Sequence, residues 1–415
     1  MKRATLILST LLISPTLFAG GYRVSLQGQK ALGMGHTGVA MAESAEVVFF
    51  NPAGMTQLEN ELELIAGLTL VDSTIAYQNS DTNASVKTDN PLGTPINLYI
   101  SKKQSDQLSY GLGIYTPYGN TVKYEDDWAG SHLVNNITLK AIYVQPTIAY
   151  QINDTYSIGG GPTLAIGEVE FNKNLTTALV DENGDRANVT ISEDGITEWG
   201  YNIGLFSKVS NDFSWGVSYR SEITMKARGG KADFENIPTS MATTYPDATF
   251  DADLVLPAEL NIGFSYKTSK ATTFAFELNR AYWSSYKSLD INISNGVKTI
   301  NARNYQDADT FRFGVQHDHN DDLTLRAGIY FDNTPVQDGY FAPETPRNDA
   351  VGYTLGATYK VQQNLELDFS FLVLKFDEID ASYDHILQTD GSSQSFAGSY
   401  HSQAITYGFG LNYLF

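Results

Sequence analysis

The sequence predicts an all-β fold: a 14-stranded antiparallel transmembrane β-barrel with an N-terminal hatch, or plug, inside the lumen. Three observations predict it. Residues alternate with period two over long stretches, and long and short connections alternate between those stretches. After residue 20 there is also no run of about 18 apolar residues, the length a helix needs to cross a bilayer.

The alternation is clearest in three places. Ile142, Val144, Pro146, Ile148, Tyr150 and Ile152 form an apolar face, with Tyr143, Gln145, Thr147, Ala149 and Gln151 between them. Leu365, Leu367, Phe369, Phe371 and Val373 do the same against Glu366, Asp368 and Ser370. The last strand carries Ile405, Tyr407, Phe409, Leu411, Tyr413 and Phe415 on one face. Two unlike faces suit a wall between lipid and a polar lumen. Fourteen such runs lie between residues 61 and 415, joined by tight polar turns near Ser105, Asp154, Asn211, Ser269, Asn320 and Gln362. Long connections fall at about 78–94, 117–136, 173–195, 228–253, 287–307, 332–350 and 379–401. In hydrocarbon every backbone polar group needs a partner, and a closed barrel supplies one.

The chain divides into a signal peptide at 1–19, a plug at 20–60 and the barrel at 61–415. Lys2 and Arg3 precede an apolar run from Ala4 to Phe18, and Ala19 is the expected last signal residue. Residues 20–60 are rich in Gly and Ala, lack the two-residue period and contain the apolar run Val47, Val48, Phe49 and Phe50. A barrel of this size has a lumen wide enough to hold them.

Composition narrows the function. The net charge of −20 removes a basic footprint for nucleic acid, and the absence of cysteine removes thiol catalysis and cysteine zinc sites. Gly33, Gly35 and Gly38 spell a dinucleotide-binding motif, but no βαβ unit surrounds them. Asp181, Asn183 and Asp185 begin like a calcium loop, yet Arg186 and Ser192 stand where Gly and Glu belong. His317, Asp318, His319, Asp321 and Asp322 read as a polar turn. No catalytic group, cofactor or metal is expected. On the lumen faces, Arg312 and Arg326 are expected nearly opposite each other across one hairpin, and Glu277, Glu366 and Asp368 could bind them or the plug. Gly111, Gly113, Gly160 and Pro162 are candidates for strand kinks that open the wall.

The motifs "GGYRVSLQGQKALGMGHTG", "VVFFNPAGM", "ELNRAYWSSYKSL", "DTFRFGVQHD", "LTLRAGIYFDNTPV" and "PETPRNDAVGYTLGATY" together resemble the FadL family of outer-membrane transporters for long-chain fatty acids and other hydrophobic compounds, which includes aromatic-hydrocarbon channels. The resemblance implies a Gram-negative outer membrane. It also implies passive uptake of a hydrophobic molecule through a lumenal pocket, gated by a hatch, with lateral release. It places Tyr22 and Arg303 near ligand, and Asn51, Pro52 and Ala53, with Phe49 and Phe50, in the hatch. Arg312 and Arg326 are further candidates to hold an acidic ligand. Glu168 and Glu170 stand where the family can present a basic lumen residue, so neutral hydrocarbons are an alternative cargo. A general porin is the other alternative. The implied partners are the ligand, lipopolysaccharide and phospholipid around a monomer, and the barrel assembly machinery, which a terminal Phe415 would address.

Overall fold

The computed structural model describes residues 21–176, 178–387 and 392–415; the expected signal peptide lies outside them. Twenty strand segments form one antiparallel sheet. Eighteen of them combine into fourteen barrel strands, and the short segments Ser85–Lys87 and Ile379–Leu387 pair onto the first and the fourteenth. The first six run Leu62–Asn79, Ile96–Lys103, Leu108–Lys123, Asn136–Gln151, Tyr156–Asn174 and Asn188–Lys208. The next four are each broken in two: Phe213–Arg220 with Ile223–Glu235, Ala248–Leu256 with Glu259–Ser269, Thr272–Ala281 with Ser288–Ile293, and Lys298–Ala302 with Ala308–Asp318. The last four run Leu323–Asp332, Ala350–Gln362, Leu365–Phe376 and Ser393–Leu414. The first strand pairs with the fourteenth from Glu63↔Leu414 to Asn79↔Gly398, which closes the barrel.

The predicted alternation is the two faces of this wall. Ile148, Tyr150, Phe369, Tyr407 and Phe409 are exposed, whereas Tyr143, Gln145, Thr147, Asp368 and Ser370 are buried. The long connections differ from expectation. Several are continued strands: the third strand runs on to Lys123, the sixth starts at Asn188, and Ile223–Glu235 pairs with Ala248–Leu256. In these extensions the apolar residues of the alternation, such as Val189, Ile191, Ile223 and Met225, face inward and are buried.

Residues 21–58 hold two short helices, Gln29–Gly33 and Val47–Phe50, and a 3₁₀ turn, Pro52–Gln57. Their bonds reach strands on all sides of the barrel. Arg23 meets Glu259, Asn279, Thr310 and Asp332. Lys30 meets Glu366, and Asn51 and Thr56 meet Leu205 and Ser157. The segment therefore lies within the lumen.

Candidate functional site

Three layers of contact hold the N-terminal segment. Nearest the short turns, Asn51 is fully buried; its amide donates to the Val39 and Leu205 carbonyls at 3.0 Å each, and its oxygen accepts from Ala53 N at 3.3 Å. Asn51 fits against the wall because Gly204 and Gly216 face it; a Cβ at Gly216 would come within 2.6 Å of the Asn51 amide nitrogen. Pro52 starts the 3₁₀ turn, and its backbone and that of Ala53 lie against Gly159. Removing the Asn51 amide in Asn51→Ala strands two buried carbonyls, a loss of about 1–3 kcal/mol. Uptake of hydrophobic ligand should change more than heat-stable folding of the barrel, read by uptake assay and gel mobility. Normal uptake of every ligand tested would remove Asn51 from any gating role.

The middle layer is ionic. Arg312 pairs with Glu277 at 2.5 Å, and Glu277 accepts the amides of Gly38 and Val39 at 2.9 and 3.0 Å. Arg326 donates to Gln316 and Thr358 at 2.7 and 2.6 Å. The two arginines are not opposite each other: Arg312 pairs with Tyr330, and Arg326 with Gln316 four residues along. The hairpin register sets them one above the other, each with its own acceptors, so the expected like-charge clash does not arise. Neither lines the apolar cavity described below.

Glu46 accepts the amides of Lys30 and Ala31 at 3.2 and 3.1 Å. Burial, with Asp368 nearby, pushes its carboxyl up to about 7. An undocked segment would ionise Glu46 near 4.5, the ordinary value. Docking is therefore strongest below that pH and weakens as pH rises toward 7, by on the order of 3 kcal/mol. Hydrogen exchange at Lys30 and Ala31 should be slower at pH 5 than at pH 8 after correction for intrinsic rates, and Glu46→Gln should remove the difference.

The layer toward the long loops is apolar. A cavity is lined by Ile137, Val169, Phe171, Ile191, Met225 and Phe250, among others. At one end stand Tyr22, Tyr286, Arg303 and Glu344. Arg303 is bound to Glu344 and lies 5.5 Å from the Tyr383 ring centre. Tyr22 is buried, bonds to the Val255 carbonyl, and packs edge-on against Trp283 and Tyr286 at 4.8 and 5.7 Å between centroids. The structure thus brings Tyr22 and Arg303 together. The sequence reading missed Glu344 and Tyr286; both lie within quoted motifs, "PETPRND" and "RAYWSSY", but in loops that carry no period.

Phe49 and Phe50 do not line this cavity. Phe49 packs on Tyr115 at 4.9 Å and under the Arg220 guanidinium at 4.4 Å, and Phe50 packs on His36 at 4.9 Å.

A second cavity crosses the wall. Its lining runs from Tyr330, Leu372 and Thr406 inside to Ile96, Lys140 and Ile142 outside. The cause lies in the pairing of strands two and three, which ends at Asn97↔Tyr115. Beyond it the third strand bulges between Tyr115 and Tyr118. Its free edge takes the N-terminal segment instead: Val24 N donates to the Pro117 carbonyl at 2.8 Å and Gly119 N to the Tyr22 carbonyl at 3.1 Å. Tyr22 lines the first cavity, and Gly21, Arg23, Val24 and Ser25 line the second. Residues 21–25 lie between them, and Asn120, Leu139 and Lys140 line both.

The kink candidates fall differently. Gly111 and Gly113 pair in register on both sides, so the bulge is at Thr116–Pro117, not at the glycines. They lack side chains because Val48 and Met55 press on them. Around Gly160 and Pro162, strand-four pairing lapses between Val144↔Leu164 and Ile148↔Gly160. The unchanged register sets Pro146 directly opposite Pro162, and neither has an amide to donate. Among the described residues, no group of three or more His, Asp and Glu could hold a metal.

The family described as outer membrane protein transport protein (OMPP1/FadL/TodX) matches residues 10–415. The chain is 22% identical to the long-chain fatty acid transport protein of Escherichia coli O157:H7, covering 88% of this chain and 90% of that protein. It is 24% identical to outer membrane protein P1 of Haemophilus influenzae, covering 96% and 95%. The fold matches the crystal structure of a Pseudomonas aeruginosa FadL homologue at 17% identity and a TM-score of 0.83, over 95% of this chain and 100% of that one. It matches the Pseudomonas putida toluene transporter TodX at 17% identity and a TM-score of 0.72, over 96% and 99%. The chain belongs to the outer membrane protein transport protein family (OMPP1/FadL/TodX), a transport family and not an enzymatic one, and is an outer-membrane barrel that transports hydrophobic compounds.

Proposed function

We propose that the cargo is a long-chain fatty acid, held with its chain in the apolar cavity and its carboxylate toward Arg303. What supports this is a guanidinium, paired with Glu344, on the wall of a largely apolar cavity. The curated relative named for long-chain fatty acid transport agrees with it. Displacement of residues 21–25 then joins the first cavity to the second, and the chain leaves sideways through the wall between strands two and three. This route avoids carrying an apolar chain through water.

Glu344 favours a second reading. It already satisfies Arg303, so the site as it stands is neutral, and a neutral hydrocarbon would leave the pair undisturbed. The toluene transporter among the similar folds matches that cargo. Uptake of fatty acids, alkanes and aromatics by cells deprived of their own such channels separates the two. Fatty acid uptake that falls about 10-fold in Arg303→Gln, with hydrocarbons unchanged, is the result expected. Hydrocarbon uptake with no fatty acid uptake would select the second reading.

A further inference from the structure

The wall-crossing cavity carries charge that an apolar chain does not require. Its charged lining is Arg23, Arg347, Lys140 and Asp332. Arg23 is committed: it bonds Asp332 at 2.9 Å and Thr310 at 2.7 Å, and also meets Asn279 and Glu259. Lys140 stands at the outer mouth, half-exposed, with Glu168 at 3.8 Å. Arg347 is different. Its backbone is fixed, since its N–H donates to the Thr345 carbonyl at 2.7 Å and its carbonyl accepts from Thr334 Oγ1 at 2.9 Å. Its guanidinium lies 5.3 Å from the Phe376 ring centre. Among the described residues that guanidinium makes no ion pair or hydrogen bond. A guanidinium has five N–H donors arranged to grip a carboxylate, and on this cavity wall the acid that acts on it is Asp332, whose ion pair is with Arg23.

We propose that Arg347 is a second carboxylate site, on the exit side of residues 21–25, which takes the head of the fatty acid after it leaves Arg303. The inference rests on the fatty acid reading. Its physical reason is the low dielectric of the lumen. A carboxylate moving from Arg303 to the bilayer edge without a counter-charge would meet a large desolvation barrier. A cation midway lowers that barrier, and a site that is weaker than the first lets the ligand leave. Lys140 at the mouth continues the series toward the membrane surface.

The test uses the full chain in lipid nanodiscs, titrated with a long-chain fatty acid and with its methyl ester, which keeps the tail and loses the charge. Wild type should bind the acid in two steps. Arg347→Gln should weaken the second step by about 10- to 100-fold and leave the first unchanged, Arg347→Lys should restore most of it, and the ester should ignore both variants. Arg303→Gln should weaken the first step alone. Gel mobility before and after heating shows that each barrel has folded. One step in wild type, or two steps untouched by Arg347→Gln, overturns the proposal and leaves the fatty acid reading standing. Equal binding of acid and ester at every step overturns both.

Discussion

Replacing Arg23 with Gln should turn a closed barrel into a leaking one. Arg23, Glu259 and Asp332 have side chains exposed by only 5%, 7% and 16%, so the variant leaves two carboxylates in the lumen without their shared cation. Breaking a buried pair costs up to about 3–5 kcal/mol, on a segment held to the wall by two backbone bonds and the Tyr22 hydroxyl. Residues 21–25 should detach while the strands, whose ladders do not involve Arg23, remain closed. Single-channel recording in a planar bilayer is the measurement: steady ion conductance in Arg23→Gln and little in wild type. An equally large conductance in wild type would favour a general porin.

Glu344→Gln should have the opposite sign. It removes the carboxylate that Arg303 now holds and leaves a buried guanidinium seeking an anion. A fatty acid carboxylate then has no competitor, and its affinity should rise by about 10-fold or more in a binding titration. Paired with Arg303→Gln, which should lower it, the two variants bracket the head-group interaction. A neutral hydrocarbon should bind all three proteins alike. A fatty acid that does so too would show that its carboxylate never reaches Arg303.

Much of the barrel was legible in the sequence because lipid imposes a rule on every second residue. Phe369 and Tyr407 could be placed on the outside from their spacing alone, and the tight turns followed from polar residues between such runs. The rule stops where the wall leaves the membrane. Residues 228–235 and Lys298–Ala302 are strand where the sequence predicts long connections. Glycine was ambiguous for a related reason. Gly111 could mark a kink or a close approach, and only the packing of Val48 and Met55 against it decides for the second. The arginines show the limit most clearly. Arg303, Arg312 and Arg326 are alike in sequence, but Glu277 and Gln316 take the latter two into the support of the N-terminal segment, while Arg303 alone of the three lines the apolar cavity. Partners more than thirty residues away in sequence, such as Glu344 for Arg303, carry no local signal.

The proposed route makes uptake depend on movement of residues 21–25, and a reversible staple tests it most directly. The chain has no cysteine of its own, so Val24→Cys with Gly119→Cys introduces a single pair. A Cβ at position 119 would lie 3.7 Å from Val24 Cγ2, close enough for a disulfide after a small adjustment. Uptake of hydrophobic ligand should stop when the pair is oxidised and return when it is reduced. Uptake that continues at the same rate through the oxidised barrel would show that residues 21–25 stay in place and the ligand travels another way.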